Sequence, residues 1–448
     1  YAFFDKKQFK DALKFSLEPF ITNDIYKFDD NHPAFGQFYK NILVILNTLS
    51  LNNQFHNSHS KILLPILKRE IYNDQEISSI LKHSTVNHIQ TFLLQGYRND
   101  AIYNAKTYNS SINLDNLDTK NILYTENFLS FIDSPFFTIG LSNYVNLDLT
   151  IEYILTSIRK LILLEYYENP RDLSANERLH NFVISLCNQG HLNEYIWKIS
   201  NEEKECLIKL KGRIEKESNK GNAITSMDIC ILGSYKNLYE YKKLRKNILE
   251  NSFDSDVEKI IKTQILDIIE ENKIKENISS VGSLENKISL KVRNQYENNP
   301  YPRWQNTGIF SIKRPYLEMF KRSIIPNWIN TDGYNIKKVL VAGCGTGFHP
   351  INLAYADKNI HIDAIDISLS SLAYAQRKAN ELNIKNISFY QCDILNIEKI
   401  GEEYDAIECS GVLHHMENPQ KGFDALSQCL KKEGLLKIAL YAKSFRQN

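Results

Sequence analysis

Apolar residues between Leu147 and Leu164 recur at Leu147, Ile151, Ile154, Leu155, Ile158, Leu161 and Ile162. That spacing sets them on one stripe of an α-helix, with Glu152, Arg159 and Lys160 on the side away from it. Val257, Ile260, Ile261, Ile265, Ile268 and Ile269 repeat the pattern. Asp254, Asp256 and Glu258 stand at the start of that segment, where a helix dipole favours acids. Patterns of this kind predict helices from residue 1 to about 275. The polar stretch Glu276–Lys287, with its Ser, Asn and Gly, reads as a domain boundary. Beyond it the period changes. Short β-like runs at Lys338–Ala342, Ile360–Ile365, Ile387–Gln391, Tyr404–Cys409 and Leu435–Leu440 alternate with helical segments at Phe348–Tyr355, Leu369–Leu382 and Gly422–Leu430. Such alternation predicts an α/β, Rossmann-like, doubly wound parallel sheet covered on both faces. Right-handed crossovers then bring the C-terminal ends of the strands to one edge, where ligands bind.

Length and composition narrow the function classes. A chain of 448 residues is too long for one core and implies about two to four domains. The expected organisation is a helical region 1–125, a helical middle domain 126–275, a linker 276–334 and an α/β domain 335–448. The formal charge of +1 gives no reason to expect a nucleic-acid or anionic-membrane surface. No apolar run approaches the ~20 residues of a membrane span. The seven cysteines are widely spaced with no C-x-x-C pair. That argues against a disulfide framework and against a metal site, and suits a reducing cytoplasm.

The strand Val339–Ala342 runs straight into Gly343-Cys344-Gly345-Thr346-Gly347 and then a helix. Glycines there let the backbone turn sharply and approach a ligand that a Cβ would exclude, and the helix offers unpaired N–H groups. Asp366 follows Gly347 by 19 residues at the end of the second run, and Asp393 ends the third. A carboxylate at the first position can hold ribose hydroxyls, and one at the second an adenine amine. Either Asp can instead serve as a turn or helix-cap residue. A nicotinamide fingerprint needs glycine where Phe348 stands, and a triphosphate loop needs Gly-Lys-Ser/Thr where the chain has Gly347-Phe348-His349.

Four segments in order resemble the motifs of class I S-adenosylmethionine-dependent methyltransferases: Gly343–Gly347, Asp366-Ile367-Ser368, Asp393-Ile394-Leu395 and Cys409-Ser410-Gly411-Val412-Leu413-His414-His415. Upstream, Gln295-Tyr296-Glu297-Asn298-Asn299-Pro300-Tyr301-Pro302-Arg303-Trp304 resembles a Q-Y-E-x-N-P-Y-P-R-W segment of bacterial proteins that join tetratricopeptide-like helices to such a domain. The opening Phe9–Leu17 pattern is similar to one helix of a tetratricopeptide hairpin. The resemblance implies S-adenosyl-L-methionine as cofactor. Gly343, Cys344, Gly345 and Gly347 would line its methionine tail, Asp366 and Ile367 its ribose and adenine, and Asp393 and Ile394 the adenine edge. Ser410 and the residues after it would face the methyl group. Full domains of this class carry two further strands, so the α/β domain is expected to be truncated after its fifth strand.

Methyl transfer needs a base only when the nucleophile must lose a proton. Glu408, His414 and His415 cluster at one strand end and are the candidates. The competing reading packs them as structural residues. Tyr296, Tyr301 and Trp304 either cover the cofactor as a lid, their faces attracting a sulfonium, or clasp the linker to the sheet. The helical region fits recruitment of a protein or peptide acceptor. A small-molecule acceptor, with helices used for assembly, and a non-catalytic scaffold are the alternatives.

Overall fold

The computed structural model describes residues 122–133, 135–147, 149–283, 287–298, 300, 303–304, 314–323 and 333–440. The tetratricopeptide-like reading of the opening residues and Tyr301 lie outside them. The chain divides into two compact units, one running to Leu266 and the other beginning at Asp267.

The described part of the first unit is helical: α1 (Glu126–Ile132), α2 (Pro135–Asn143), α3 (Leu149–Glu168), α4 (Pro170–Ala175), α5 (Glu177–Leu192), α6 (Asn201–Asn219), α7 (Ser226–Tyr235), α8 (Lys242–Glu250) and α9 (Ser255–Ile261). Capping boxes start two of them, Ser200 with Glu203 before α6 and Thr225 with Asp228 before α7. Of the predicted stripe of α3, Ile151, Ile154, Leu155, Ile158 and Ile162 are buried and Leu161 is half-buried, whereas Leu147 precedes the helix and is exposed. Arg159, expected to face away, is buried instead. Its guanidinium lies 3.3 Å from the Glu203 carboxylate, donates to the Lys198 carbonyl at 2.9 Å and stacks 4.0 Å from the Tyr235 ring centre. An ion pair and an aromatic face together offset the cost of burying that charge.

In the second unit, α10 (Asp267–Lys275), α11 (Lys287–Asn298) and α12 (Tyr316–Ser323) precede most of a six-stranded parallel sheet. The strands are β1 (Ser279–Val281), β2 (Lys338–Ala342), β3 (His361–Asp366), β4 (Ile387–Cys392), β5 (Tyr404–Ser410) and β6 (Leu430–Ala439), in the order β1-β4-β3-β2-β5-β6. Right next to the five expected strands stands one that was not expected. Ser279–Val281, inside the polar stretch read as a linker, pairs with Tyr390–Cys392 and covers the β4 edge. The helices between strands are α13 (Phe348–Ala356), α14 (Leu369–Glu381) and α15 (Pro419–Gln428).

Strand alternation divides the core into two layers. Val339, Val341, Ile362, Ala364, Phe389 and Ala406 face α12, α13 and α14. Leu340, Ala342, Ile365, Ile407 and Cys409 face the 394–400 turn and α15, with Ile397 and Leu426 beneath them. The chain steps outward one way from β2 through β3 and β4, then crosses back to β5 and β6. The gap between β2 and β5 is therefore the switch point at which open α/β sheets bind ligands. Among the described residues, no helix is long and apolar enough to cross a membrane, and no group of three or more His, Cys, Asp or Glu could hold a metal ion.

Candidate cofactor site at the strand ends

The glycine loop leaves β2 beside the switch point. Gly343 and Cys344 donate their N–H groups to the Ile365 carbonyl at 2.8 and 2.9 Å, which ties the loop to the end of β3. Gly343 and Gly347 have φ of +71° and +80°, a region L side chains rarely adopt. A Cβ on Gly343 would stand 2.2 Å from the Val412 Cγ2, so this glycine lets the segment after β5 close against the loop.

Asp366 joins the loop to the next turn. One carboxylate oxygen accepts from the Gly345 N–H at 2.8 Å and the other from the Ser368 N–H at 2.9 Å. Burial raises its carboxyl above the ordinary value, against the pull of the Ser368, Gly345 and Ile367 N–H donors. A carboxylate offers about four lone-pair sites, so one stays open beyond these three donors, which suits a ribose hydroxyl. Ile367 is partly buried, and its carbonyl accepts from the Gln391 amide at 3.0 Å. Burial, and then the Asp366 charge, push the Cys344 thiol well above its usual range.

At the end of β4, Asp393 caps the 394–400 turn by accepting from the Leu395 N–H at 3.0 Å. Its cap role and a ligand role are compatible, because one oxygen makes the capping bond. Ile394, expected at the adenine edge, packs into the lower core layer with Ile397. The turn needs an apolar anchor there, and Ile394 supplies it.

Ser410, the last residue of β5, is exposed, and Gly411 after it has φ +74°. His414 and His415 lie with ring centres 4.3 Å apart. Glu408 is elsewhere in character. It is buried on the upper face, where it accepts from the Tyr316 hydroxyl at 2.8 Å, the His349 Nε2 at 3.0 Å and the Lys437 ammonium at 2.8 Å. Burial alone would raise its carboxyl, but the His349 and Lys437 partners outweigh burial and bring it down to about 2. A carboxylate so held anchors Tyr316, His349 and Lys437 around the end of β5. His349, absent from the sequence-based candidates, is the half-exposed partner at the mouth of the loop.

Of the three aromatic candidates, Tyr296 is partly buried on α11. Trp304 is 8% exposed. Its Nε1 donates to the Thr346 carbonyl at 2.9 Å, and its ring meets Phe348 and Tyr374 edge-on at 5.5 and 6.1 Å. The Tyr374 hydroxyl donates to the Trp304 carbonyl. Trp304 thus clasps the glycine loop to α14.

Residues 335–447 match the family model described as a methyltransferase domain. This stretch is a class I methyltransferase domain. The match covers the strands β2 to β6 and every candidate cofactor residue. The chain is 39% identical across 107 residues to an uncharacterized protein of Synechococcus sp., covering 24% of this chain and 26% of that protein. It is 30% identical across 104 residues to a malonyl-[acyl-carrier protein] O-methyltransferase of Bacillus cereus, covering 23% of this chain and 37% of the relative. Among solved structures it is similar to a SAM-dependent methyltransferase from Aquifex aeolicus, at 26% identity and TM-score 0.21, covering 23% of this chain and 58% of that one. The chain thus spans only about a quarter to two fifths of the length of these two curated relatives.

Proposed function

We propose that the chain is an S-adenosylmethionine-dependent methyltransferase acting on a protein or peptide acceptor recruited by its helical region. The cofactor of the methyltransferase domain is S-adenosyl-L-methionine. The single observation behind this is the bond from the Gly345 N–H to the Asp366 carboxylate at 2.8 Å. It joins the glycine loop and the acid beside the switch point. No phosphate is called for there: the chain departs from both phosphate-loop patterns at Phe348 and His349.

S-adenosylmethionine, when bound, supplies a methyl group already activated by its sulfonium. The chain's own task is to hold donor and acceptor in line, an orientation effect worth up to about 7–11 kcal/mol in favourable cases. Gly343, Cys344, Gly345 and Gly347 clear room for the methionine tail. Asp366 and Ile367 take the ribose and adenine, Asp393 takes the adenine edge, and Ser410, His414 and His415 border the methyl group. Where the acceptor must shed a proton, His414 and His415 are the groups nearest that end of β5. The acceptor class draws support from the relative named for a group carried on an acyl-carrier protein. It draws support also from the extended surface that helical regions offer to protein partners. All seven cysteines are free thiols, which fits a cytoplasmic enzyme.

The test is transfer of a labelled methyl group from the cofactor into cell lysate, with products sorted by size, alongside calorimetric titration of the cofactor. Label in the protein fraction is the expected result. Label confined to small molecules would overturn the acceptor class, and an absence of both heat and label would overturn the enzyme.

A further inference from the structure

The Q-Y-E segment carries a residue that the cofactor chemistry above does not use. Glu297 lies in the last turn of α11, partly buried. One of its carboxylate oxygens accepts from the Ser370 N–H at 3.0 Å and the Ser368 hydroxyl at 3.1 Å, and the other from the Ser370 hydroxyl at 2.8 Å. Lys275, at the end of α10, sits 3.5 Å from the same carboxylate and donates to the Ser370 hydroxyl at 2.6 Å. Burial would raise the Glu297 carboxyl, but the Ser370 donors and Lys275 outweigh it and hold it below the usual range. It is therefore a fixed negative charge at neutral pH.

What these bonds grip is the turn directly after β3. Asp366 holds that turn from inside, through the Ser368 N–H. Glu297 holds it from outside, through the Ser368 hydroxyl. The helix α14 does not need Glu297 as its cap, because the Ser368 hydroxyl already accepts from the Ser371 N–H at 3.1 Å. A second tie reaches the same turn from β1: Ser280 donates to the Gln391 side chain at 2.7 Å, and that amide donates to the Ile367 carbonyl at 3.0 Å. Three residues of the upstream stretch, Lys275, Ser280 and Glu297, thus converge on Asp366-Ile367-Ser368, each through one intermediate at most.

We infer that Glu297 is a positioning residue for the adenosine half of the cofactor. This rests on the S-adenosylmethionine reading of the site. By clamping the 366–370 turn, Glu297 fixes the direction in which Asp366 presents its open lone pair. A ribose binds well only to a carboxylate already aimed at its hydroxyls, since any reorientation is taken from the binding free energy. Cofactor affinity then depends on α11, a segment lying outside the matched methyltransferase domain.

The test uses the full chain and two probes, S-adenosylmethionine and 5′-deoxy-5′-methylthioadenosine, which lacks the amino-acid tail. Calorimetric affinities are measured for wild type, Glu297→Ala and Ser370→Ala, well below each protein's melting temperature. There a merely structural loss of stability leaves affinity unmoved. Glu297→Ala should weaken both probes by the same factor, about tenfold, as for loss of one charge-assisted hydrogen bond. Ser370→Ala, which keeps the backbone donor, should weaken both by a smaller, equal factor of about threefold. Unchanged affinity in Glu297→Ala overturns the inference, as does a loss confined to S-adenosylmethionine, which would place Glu297 at the tail. Should Glu297→Ala fail to fold, unchanged affinity in Ser370→Ala overturns it equally. If the wild type binds neither probe, the cofactor reading itself has failed, and Glu297 is not the cause.

Discussion

His349 Nε2 and Glu408 Oε2 meet at 3.0 Å although 59 residues separate them in the chain. His349 opens the helix after the glycine loop, and Glu408 sits deep on β5, with Val341 and Lys437 beside it in the sheet. An ionised carboxylate can only accept, so the proton of this bond lies on Nε2. The contact braces the first turn of α13, whose N-terminus borders the glycine loop.

Glu408 makes stability depend on acid. Its carboxyl titrates near 4.5 when unfolded and about 2 in the fold. Its contribution is complete above about pH 4.5 and fades as pH falls toward 2, because the unfolded chain takes up the proton first. The shift corresponds to roughly 3 kcal/mol. Comparing urea unfolding of wild type and Glu408→Gln across this range should show a gap at pH 6 that closes with acidification. A gap of constant width would show that the ion pairs carry no stability.

Asp366→Ala should weaken S-adenosylmethionine by roughly ten- to a hundredfold, the loss expected when a charged hydrogen-bond acceptor is removed from a ligand's hydroxyls. Calorimetry measures it directly. Because Asp366 also holds the Gly345 and Ser368 N–H groups, Asp366→Asn should retain part of the fold's order while losing most of the ribose binding. Wild-type affinity in either variant would remove Asp366 from the site.

Gly343→Ala should destabilise the domain on two counts. Its φ of +71° strains any L side chain, and the new Cβ would meet Val412 at 2.2 Å. Pairing it with Val412→Ala should relieve the second cost and leave the first, so thermal melting of the double variant should fall between Gly343→Ala and wild type. Melting of the double variant no higher than that of Gly343→Ala would mean that the contact is not the cause.

Trp304→Ala should cost about 3–5 kcal/mol, the range for truncating a buried aromatic. Trp304→Phe should recover the packing against Phe348 and Tyr374 but not the bond to the Thr346 carbonyl. Denaturant unfolding ranks the three. Equal stability of wild type and the alanine variant would contradict the clasp.

The sheet was legible because buried parallel strands write themselves as short apolar runs, and β2 at Lys338–Ala342 begins and ends where its pattern does. The glycine loop and the two aspartates were legible for the same reason: each follows a readable strand end. Three features were not. β1 has only three residues, two of them serines, and owes its form to the open edge of β4 rather than to its own pattern. Arg159 looked solvent-facing because its partners Glu203 and Tyr235 come from other helices. The surroundings of Glu408 were hidden because nothing local in the chain announces Tyr316, His349 and Lys437 as its partners. Periodicity reports one element at a time, whereas a side chain's electrostatic surroundings are assembled from several.

The strand β1 also bears on how such a domain is shuffled between proteins. The family match begins at 335, but the compact unit begins at Asp267. A gene rearrangement that moved only residues 335–447 would carry off every cofactor residue. It would leave behind the strand that seals β4, the α10 carboxylates of Asp267 and Glu271 that neutralise the buried Arg377, and the indole beneath the glycine loop. The transplanted piece would arrive with an open sheet edge and with the buried Arg377 left to Glu381 alone, which favours aggregation or misfolding. The unit that folds here is therefore larger than the stretch the family match covers.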